Sequence, residues 1–243
     1  YDEEIGCLGA PAMIGEIVRE MPTPAAVIVG EPTSMKVVSG HKGIRTFIVE
    51  VIGREAHSSL PDHGVSAVSE ALKLMNFVEQ MAREARSQTH AHFSPATMTI
   101  GRVDGGTAVN ILARRCEFIW DLRTGDAASA DAIEARFFEE AEKLDAEIKH
   151  RAPEGGVKIT RRSRTPGLEL DLGSEAETLA RALTGDNDTQ AVAYAAEAGL
   201  FQRAGLPAVI FGPGPLRQAH PPLEWNEIAQ TEEGTALIRL PIA

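Results

Sequence analysis

Residues 46–52, Thr-Phe-Ile-Val-Glu-Val-Ile, open the stretch of sequence that decides the fold. Phe47, Val49 and Val51 fall on one face and Glu50 on the other, which is the alternation expected of a half-buried β-strand. A helical pattern follows, with apolar residues three or four positions apart at Val68, Leu72, Met75, Val78 and Met81. This part of the chain therefore predicts a strand followed by an amphipathic helix.

Four further segments continue the same unit. Strands are predicted at residues 97–103 and 116–122, and the second of them has Cys116, Phe118, Trp120 and Leu122 on one face and Asp121 on the other. A second helical stripe consists of Ile133, Phe137, Ala141, Leu144 and Ile148, and residues 157–160 form a last short strand. The order strand, helix, strand, strand, helix, strand is the split βαβ arrangement, a two-layer fold able to form as one unit.

The segments on either side have another character. Residues 25–29 and 207–211 are continuous apolar runs, and each is followed by a glycine. Short runs without alternation suit strands that are covered on both faces, as in a parallel α/β sheet. Helical patterns precede both runs. The sequence therefore predicts that these flanking segments form a separate α/β sheet with helices on both sides.

The length of the chain is compatible with this division. Its 243 residues allow one large domain or two ordinary ones. We expect an α/β domain made of residues 1–40 and 163–243, interrupted by the βαββαβ unit at residues 41–162. The chain is long enough to bury a core without disulfides or structural metals.

Composition excludes several functional classes. The 24 Lys and Arg residues against 35 Asp and Glu residues give a net charge of -11, which argues against nucleic acid as a partner. No apolar run approaches the roughly 18 residues that cross a bilayer, so a membrane-spanning protein is not expected. Two cysteines, Cys7 and Cys116, are too few for a disulfide framework and favour a reducing, cytoplasmic location.

Ionisable residues follow both apolar runs. Glu31 comes just after the first and His220 lies in the loop after the second, while Glu3 and Glu4 are adjacent near the start of the chain. Carboxylates and imidazole are the ligands of hydrolytic zinc sites, and a further carboxylate can act as the base. Each also has a structural explanation: paired glutamates are common on solvated helices, Glu31 could end a strand, and His220 could be a surface residue.

Taken in order, the motifs resemble the zinc-dependent aminoacylase and carboxypeptidase G family over nearly the whole chain. They are Asp2-Glu3-Glu4-Ile5-Gly6, residues 29–34 (VGEPTS), 41–43 (HKG), 53–61 (GREAHSSLP), 64–67 (GVSA), Asn110, residues 121–123 (DLR), 212–214 (GPG), 218–220 (QAH) and Glu224. The resemblance implies a zinc-hydrolase α/β catalytic domain, here partial, with an inserted ferredoxin-like βαββαβ domain that serves as lid and dimerisation domain.

The resemblance also implies roles for the ionisable residues. Glu3 matches the general base, which takes a proton from the attacking water and later delivers it to the leaving amine. Glu4, Glu31 and His220 match metal ligands. The family binds two zinc ions per subunit, with cobalt as a possible substitute, and two cations about 3.5–4 Å apart can activate water and polarise an amide.

Four more residues acquire roles from the resemblance. His57 matches a histidine that crosses a homodimer interface to stabilise the oxyanion in the partner's site. Asn110 and Arg123 match residues that hold the substrate carboxylate, for which a guanidinium is well suited. Glu197 is expected to face the cationic amine of an ornithine side chain. Without the family, a loop histidine and a surface ion pair would be the simpler interpretations of His57 and Arg123.

The function implied is the metal-dependent hydrolysis of a small-molecule N-acyl amino acid, with N-acetylornithine, an arginine precursor, as the favoured substrate. Succinyl-diaminopimelate or a broader set of acyl amino acids is the alternative within the class. A module that dimerises or binds without catalysis is the alternative from another class.

One part of the family pattern is missing. In the family, a His-x-Asp segment upstream provides a histidine ligand and a bridging aspartate. None of the seven histidines here is followed by Asp two positions later, and the chain begins with Tyr1 rather than Met. We therefore expect that an upstream segment is absent, and that the 243 residues alone are inactive or nearly so.

Overall fold

The computed structural model describes residue 3 and residues 6–88, 92–219 and 222–239. Two of the predicted metal ligands, Glu4 and His220, lie outside the described residues. The chain divides into two compact units. The first unit consists of residues 1–43, 91–93 and 165–243, and the second unit consists of residues 44–90 and 94–164.

The described residues form, in chain order, α1 (Ala10–Glu20), β1 (Val27–Val29), β2 (Val38–His41), β3 (Gly43–Ile52), α2 (Ala67–Arg86), β4 (Thr97–Gly105), β5 (Arg115–Thr124), α3 (Ala127–Arg151), β6 (Gly156–Thr165), α4 (Glu175–Thr184), β7 (Gln190–Val192), α5 (Ala198–Arg203), β8 (Ala208–Ile210) and α6 (Ile228–Ile238). Two short 3-10 helices, Pro61–His63 and Leu216–Gln218, complete the described elements. None of the helices within the described ranges is both long and apolar enough to span a membrane.

A four-stranded sheet with helices on both faces forms the first unit. Its strand order is β1-β8-β2-β7, with β1 and β8 parallel and β2 antiparallel to β8. Along β8, Ala208 and Ile210 join a core with α1 and α5, whereas Val209 joins a core with α4. The run at residues 207–211 is therefore covered on both sides, as predicted, because successive side chains of a strand point to opposite faces. In the run at residues 25–29 the prediction was wrong for one side, since Ile28 is 38% exposed.

The second unit is the predicted two-layer fold. Its sheet has the order β4-β5-β3-β6, and α2 and α3 pack together on one face of it. Phe47 of β3 stacks on Trp120 of β5 with the ring centroids 4.6 Å apart, and Phe137 of α3 lies 4.6 Å from Trp120. The alternation on β3 and β5 predicted these buried faces correctly. The α/β fold class with an inserted βαββαβ unit is thus confirmed.

The buried face of α2 differs from the predicted stripe. Val68 and Leu72 are 38% and 52% exposed, and the helix buries eight residues, four of them alanines: Ala67, Glu70, Ala71, Leu74, Val78, Met81, Ala82 and Ala85. Alanines let the helix axis approach the sheet closely, so the larger Val68 and Leu72 side chains are left on the outer side. The prediction was wrong for Val68 and Leu72, because it weighted apolar size rather than fit, and correct for Val78 and Met81.

Three elements were not predicted. They are β2, β7 and α6. Strand β2 reads Val-Ser-Gly-His and has no apolar alternation, yet all four of its residues are buried. Strand β7 is only three residues long. Such short or polar strands form because neighbouring strands supply hydrogen-bond partners, which a local pattern does not reveal.

Candidate active site

Two loops that leave neighbouring parallel strands meet at one end of the sheet in the first unit. Val29, the last residue of β1, lies beside Ile210, the last residue of β8. Beyond them the backbone N–H of Thr33 donates to the carbonyl of Gly212 over 3.3 Å. We call residues 30–34 and 212–214 the paired exits. The first loop contains Glu31, and the chain that follows the second loop leads to His220 in the sequence.

Close packing between the paired exits requires a glycine. A Cβ on Gly212 would lie 2.7 Å from the carbonyl oxygen of Glu31, which is closer than Cβ contacts come in proteins. The hydroxyl of Thr33 donates to the carbonyl of Lys36 over 2.7 Å and accepts from the Gly212 N–H over 3.1 Å. The backbone that carries Glu31 is therefore fixed by the loop that follows β8.

Of the three predicted metal ligands, Glu31 alone is described, and it is half-buried. Its carboxylate is the type of oxygen donor that zinc accepts. Among the residues that the structure describes, no group of three or more His, Cys, Asp or Glu side chains is placed to hold a metal ion. Because the other two ligands lie outside those residues, the donor set is represented here by Glu31 only.

Glu3, the predicted base, is held in a tight turn. Its carbonyl accepts the backbone N–H groups of Gly6 and Cys7 over 3.0 and 2.9 Å, and the Cys7 thiol lies 3.7 Å from Glu3 Oε1. Burial, and then the charges of Glu3 and Glu197, raise the pKa of Cys7 to about 12. The charges of both Glu3 and Glu197 therefore act on this thiol, which stays protonated at neutral pH.

Glu197 directly precedes α5, and the start of that helix is fixed by a buried histidine. The backbone N–H of Gly199 donates to Nε2 of His41 over 3.1 Å. The other ring nitrogen, Nδ1, lies 2.8 Å from the carbonyl of Lys42. Because the carbonyl is only an acceptor, Nδ1 carries the proton and Nε2 is free to accept. His41 thus acts here as a structural residue.

In the second unit, His57 and Asn110 lie on paired backbone segments. The N–H of Ser58 donates to the carbonyl of Asn110 over 2.9 Å, and His57 forms a bridge with Ile111. Both predicted residues are exposed. They therefore share one surface of this unit, formed by two loops.

The hydrogen bonds of His57 define its tautomer. Nδ1 accepts the backbone N–H of Ser59 over 3.2 Å and lies 2.8 Å from the Ser59 hydroxyl. A neutral imidazole that accepts at Nδ1 carries its proton on Nε2. The exposed ring therefore presents an N–H donor, which is the group that oxyanion stabilisation requires.

Arg123 lies at the other end of β5 from Asn110. It is the next-to-last residue of the strand, and its Nε donates to Asp121 over 3.2 Å. Asn110 precedes the first residue of β5, Arg115. Eight residues of strand at about 3.3 Å each separate the two ends by roughly 26 Å. Within a single copy, then, the structure does not bring together the two residues predicted to hold one carboxylate.

Sequence reasoning missed one polar residue near the paired exits. Tyr194, three positions before Glu197, packs its ring against the core that includes Val29 and Ile210. Its hydroxyl is buried without a hydrogen-bond partner in the described part of the chain. A lone tyrosine after a three-residue strand carries no sequence pattern that would have identified it.

Comparison with known proteins identifies the second unit. Residues 39–149 match the family model of the M20 peptidase dimerisation domain. Acetylornithine deacetylase from Aliivibrio fischeri is 30% identical over 229 residues, covering 92% of this chain and 58% of the relative. Acetylornithine deacetylase from Pasteurella multocida is 30% identical over 231 residues, covering 92% of this chain and 57% of the relative.

Solved structures share the fold. Aminopeptidase PepT from Bacillus cereus superposes with a TM-score of 0.71 at 19% identity, covering 97% of this chain and 59% of that chain. A tripeptidase from Staphylococcus aureus gives a TM-score of 0.63 at 20% identity, covering 85% of this chain and 53% of that chain. The resemblance found in the sequence is confirmed, and the chain spans 56–58% of the length of the curated relatives that it matches.

Proposed function

We propose, from the premise that residues 39–149 are an M20 peptidase dimerisation domain, that the protein hydrolyses the amide bond of an N-acyl amino acid with bound divalent cations. The observation that carries this proposal is the contact between the paired exits. Glu31 lies in one exit, and the chain that leaves the other leads to His220 six residues later. Relatives named acetylornithine deacetylase match 90–93% of the chain.

Glu31, Glu4 and His220 would hold the cations. Two zinc ions per subunit are the proposed complement, with cobalt as a substitute, because carboxylate and imidazole ligands accept both. A bound cation supplies a Lewis acid that polarises the amide carbonyl. The half-buried position of Glu31, fixed by the contact of its backbone with Gly212, supports a ligand that is already in place before the cation arrives.

Glu3 is the proposed proton carrier. A base has to hold its carboxylate at a fixed position relative to the attacking water, and the turn at Gly6 and Cys7 restrains both the backbone and the side chain of Glu3. Glu197, near the same thiol, is the proposed partner for the cationic amine of N-acetylornithine. Hydrolysis would release ornithine and acetate, and we propose a role in arginine biosynthesis in the cytoplasm.

The domain roles follow from the same premise. Residues 1–40 and 163–243 are proposed as the catalytic domain, and residues 41–162 as the lid and dimerisation domain. Homodimerisation is expected through the outer side of α2 and the edge strand β4, where Val68, Leu72 and Val103 are exposed. These three residues are called the apolar edge surface below.

His57 and Asn110 are proposed to act together. The backbone N–H of Ser58 is hydrogen-bonded to the carbonyl of Asn110, so His57 and Asn110 are neighbours on this surface. We therefore expect both residues to contact the same active site. The His57 Nε2–H would donate to the oxyanion in the site of the partner subunit. Arg123, at the opposite end of β5, would bind the substrate carboxylate at a different active site of the dimer from the one that Asn110 enters.

The substrate is tested on the complete gene product, loaded with Zn²⁺. N-acetylornithine, N-succinyl-diaminopimelate and a set of uncharged N-acetyl amino acids are compared by kcat/KM. We expect preferential hydrolysis of N-acetylornithine, lost on chelation and restored by Zn²⁺. Preference for the succinyl substrate would move the proposal to the alternative within the class.

Matched variants separate the enzyme from the non-catalytic module. Glu3→Gln should abolish turnover while leaving cation binding intact, and Glu31→Gln should weaken cation binding itself. A gene product that binds no zinc and hydrolyses none of these amides would support the dimerisation or binding module. The 243 residues expressed alone are expected to hydrolyse little, since they contain no His-x-Asp segment.

A further inference from the structure

Tyr194 occupies a position that the proposed reaction does not yet use. It follows β7, and its ring packs against the core that contains Val29 and Ile210, the last residues of the strands before the paired exits. Glu31 is two positions beyond Val29. Tyr194 therefore belongs to the same core as the strand that leads into the Glu31 loop.

The hydroxyl of Tyr194 has no partner although it is buried. Among the described residues it makes no hydrogen bond, and it is sealed from solvent. Burial, and then the negative charge of Glu31, raise the pKa of Tyr194, so the phenol remains an O–H group at physiological pH. A buried O–H without an acceptor is unfavourable in a folded protein, and such atoms are uncommon unless they have a function.

Two kinds of acceptor would satisfy this hydroxyl, a substrate oxygen or an internal carboxylate. A substrate oxygen is disfavoured because the hydroxyl is closed to solvent and hence to a diffusing ligand. Glu31 is the charged group whose field acts on the phenol. A carboxylate has more acceptor positions than one bound cation uses, so it can accept a hydrogen bond and bind a metal at once.

We propose that Tyr194 is a positioning residue for Glu31, and that its hydroxyl donates a hydrogen bond to the Glu31 carboxylate in the cation-bound protein. The bond fixes the orientation in which the other carboxylate oxygen faces the cation. Second-layer hydrogen bonds of this kind orient ligands and strengthen metal binding. The inference rests on the proposed role of Glu31 as a metal ligand.

Tyr194→Phe tests the inference, because it removes only the hydroxyl. In the complete gene product, zinc affinity measured against a competing chelator should fall about 10- to 100-fold, the usual effect of losing such a bond. The visible spectrum of the Co²⁺-loaded protein should change with it. Thr235→Val, which removes an exposed hydroxyl bonded only to the Thr231 carbonyl, serves as the control and should change neither.

Stability supplies a second measurement that a purely structural role would not reproduce. In the metal-free protein Tyr194→Phe should unfold at the same or a higher temperature, because it removes a buried hydroxyl without a partner. The rise in melting temperature on adding Zn²⁺ should be smaller than in the wild type. A variant that is destabilised equally with and without Zn²⁺ would overturn the inference.

The remaining outcomes distinguish this inference from the proposed function. If Glu31→Gln weakens zinc binding but Tyr194→Phe leaves affinity unchanged, the inference fails and the metal site stands. If zinc affinity is unchanged but KM rises in Tyr194→Phe, the hydroxyl contacts the substrate and the inference is wrong. If zinc affinity and KM are both unchanged, the inference is also wrong, and Gln218, whose Oε1 is buried without a partner in the described part of the chain, is the alternative acceptor. If Glu31→Gln leaves zinc binding intact, both the metal site and the inference are wrong.

Discussion

The imidazole of His41 accepts the backbone N–H of Gly199 over 3.1 Å and so connects two residues that are 158 positions apart in the sequence. Its other nitrogen donates to the carbonyl of Lys42. Both bonds are made by the neutral ring, and the side chain is fully buried. Protonation would place a charge in the interior and would remove the acceptor that Gly199 uses.

Acid should therefore destabilise the first unit through His41. Burial lowers the pKa of His41 from 6.5 to about 4, against the smaller opposing effect of the Lys42 carbonyl. The unfolded chain thus binds the proton first as pH falls. The contribution of the neutral ring is complete above pH 6.5, declines by about 1.4 kcal/mol per pH unit below it and levels off below pH 4.

His41→Gln should flatten this decline in the free energy of unfolding, measured by urea titration between pH 7.5 and 4.5. His63→Gln is the matched control, because His63 is exposed at the end of a short 3-10 helix of the second unit. The prediction is contradicted if His41→Gln and the wild type lose stability with the same slope.

Gly199 itself should not tolerate a side chain. A Cβ there would lie 2.4 Å from the carbonyl oxygen of Pro166 and 2.5 Å from that of Gly167. Backbone atoms cannot move aside cheaply, so Gly199→Ala should cost about 3 kcal/mol of unfolding free energy, at the upper end for overpacking. Thermal and urea unfolding of the two proteins would measure the difference.

Gly15 provides the control for that substitution. It lies within α1, and a Cβ there meets nothing within 4 Å. Gly15→Ala should be neutral or stabilise the protein by up to about 1 kcal/mol, because alanine loses less backbone entropy in a helix than glycine. Equal effects of the two substitutions would show that the close approach at Gly199 does not determine stability.

The fold could be predicted where burial is one-sided. Strand β5 buries Cys116, Phe118, Trp120 and Leu122 on one face and carries mostly polar residues on the other, because one face meets the helices and the other does not. The α2 face was misassigned because small alanines, rather than Val68 and Leu72, fit against the sheet. Strands such as β7 depend on pairing with distant residues, so no local pattern marks them.

The candidate site could be predicted only in part. Parallel strands end at one edge of a sheet, so the proximity of the paired exits followed from two apolar runs. The separation of Asn110 and Arg123 did not, because it depends on where β5 begins: Asn110 lies five positions before its first residue, Arg115, and Arg123 is its next-to-last residue. Tyr194 was missed because its interest arises from a buried hydroxyl without a partner, which is a property of packing.

The apolar edge surface should control assembly. Leu72 is 52% exposed on α2, and the edge strand β4 beside it exposes Val103. Leu72→Glu would place one charge from each copy in a two-fold interface, and should weaken association by roughly 2–5 kcal/mol. Sedimentation analysis should show a shift from dimer to monomer.

Leu172→Glu is the control for assembly, since Leu172 is a similarly exposed leucine of the first unit. It should leave the association constant unchanged. If Leu72→Glu leaves the dimer intact, the interface lies elsewhere on the second unit.

His57 provides the test of whether two copies share each active site. The exposed ring presents an Nε2–H donor, because Nδ1 accepts from Ser59. Its replacement by alanine in the complete gene product should lower kcat about 10²- to 10³-fold, as loss of an oxyanion donor does, with zinc affinity unchanged. Glu3→Gln should be similarly inactive, since it removes the proposed base.

Mixing the two inactive variants then decides between the arrangements. If His57 acts on the partner subunit, each mixed dimer contains one site with both Glu3 and the partner's His57. Random exchange of subunits makes half of the dimers mixed, so about a quarter of the wild-type sites should be restored. If His57 acts within its own subunit, every site lacks one of the two residues, and the mixture should remain as inactive as its components.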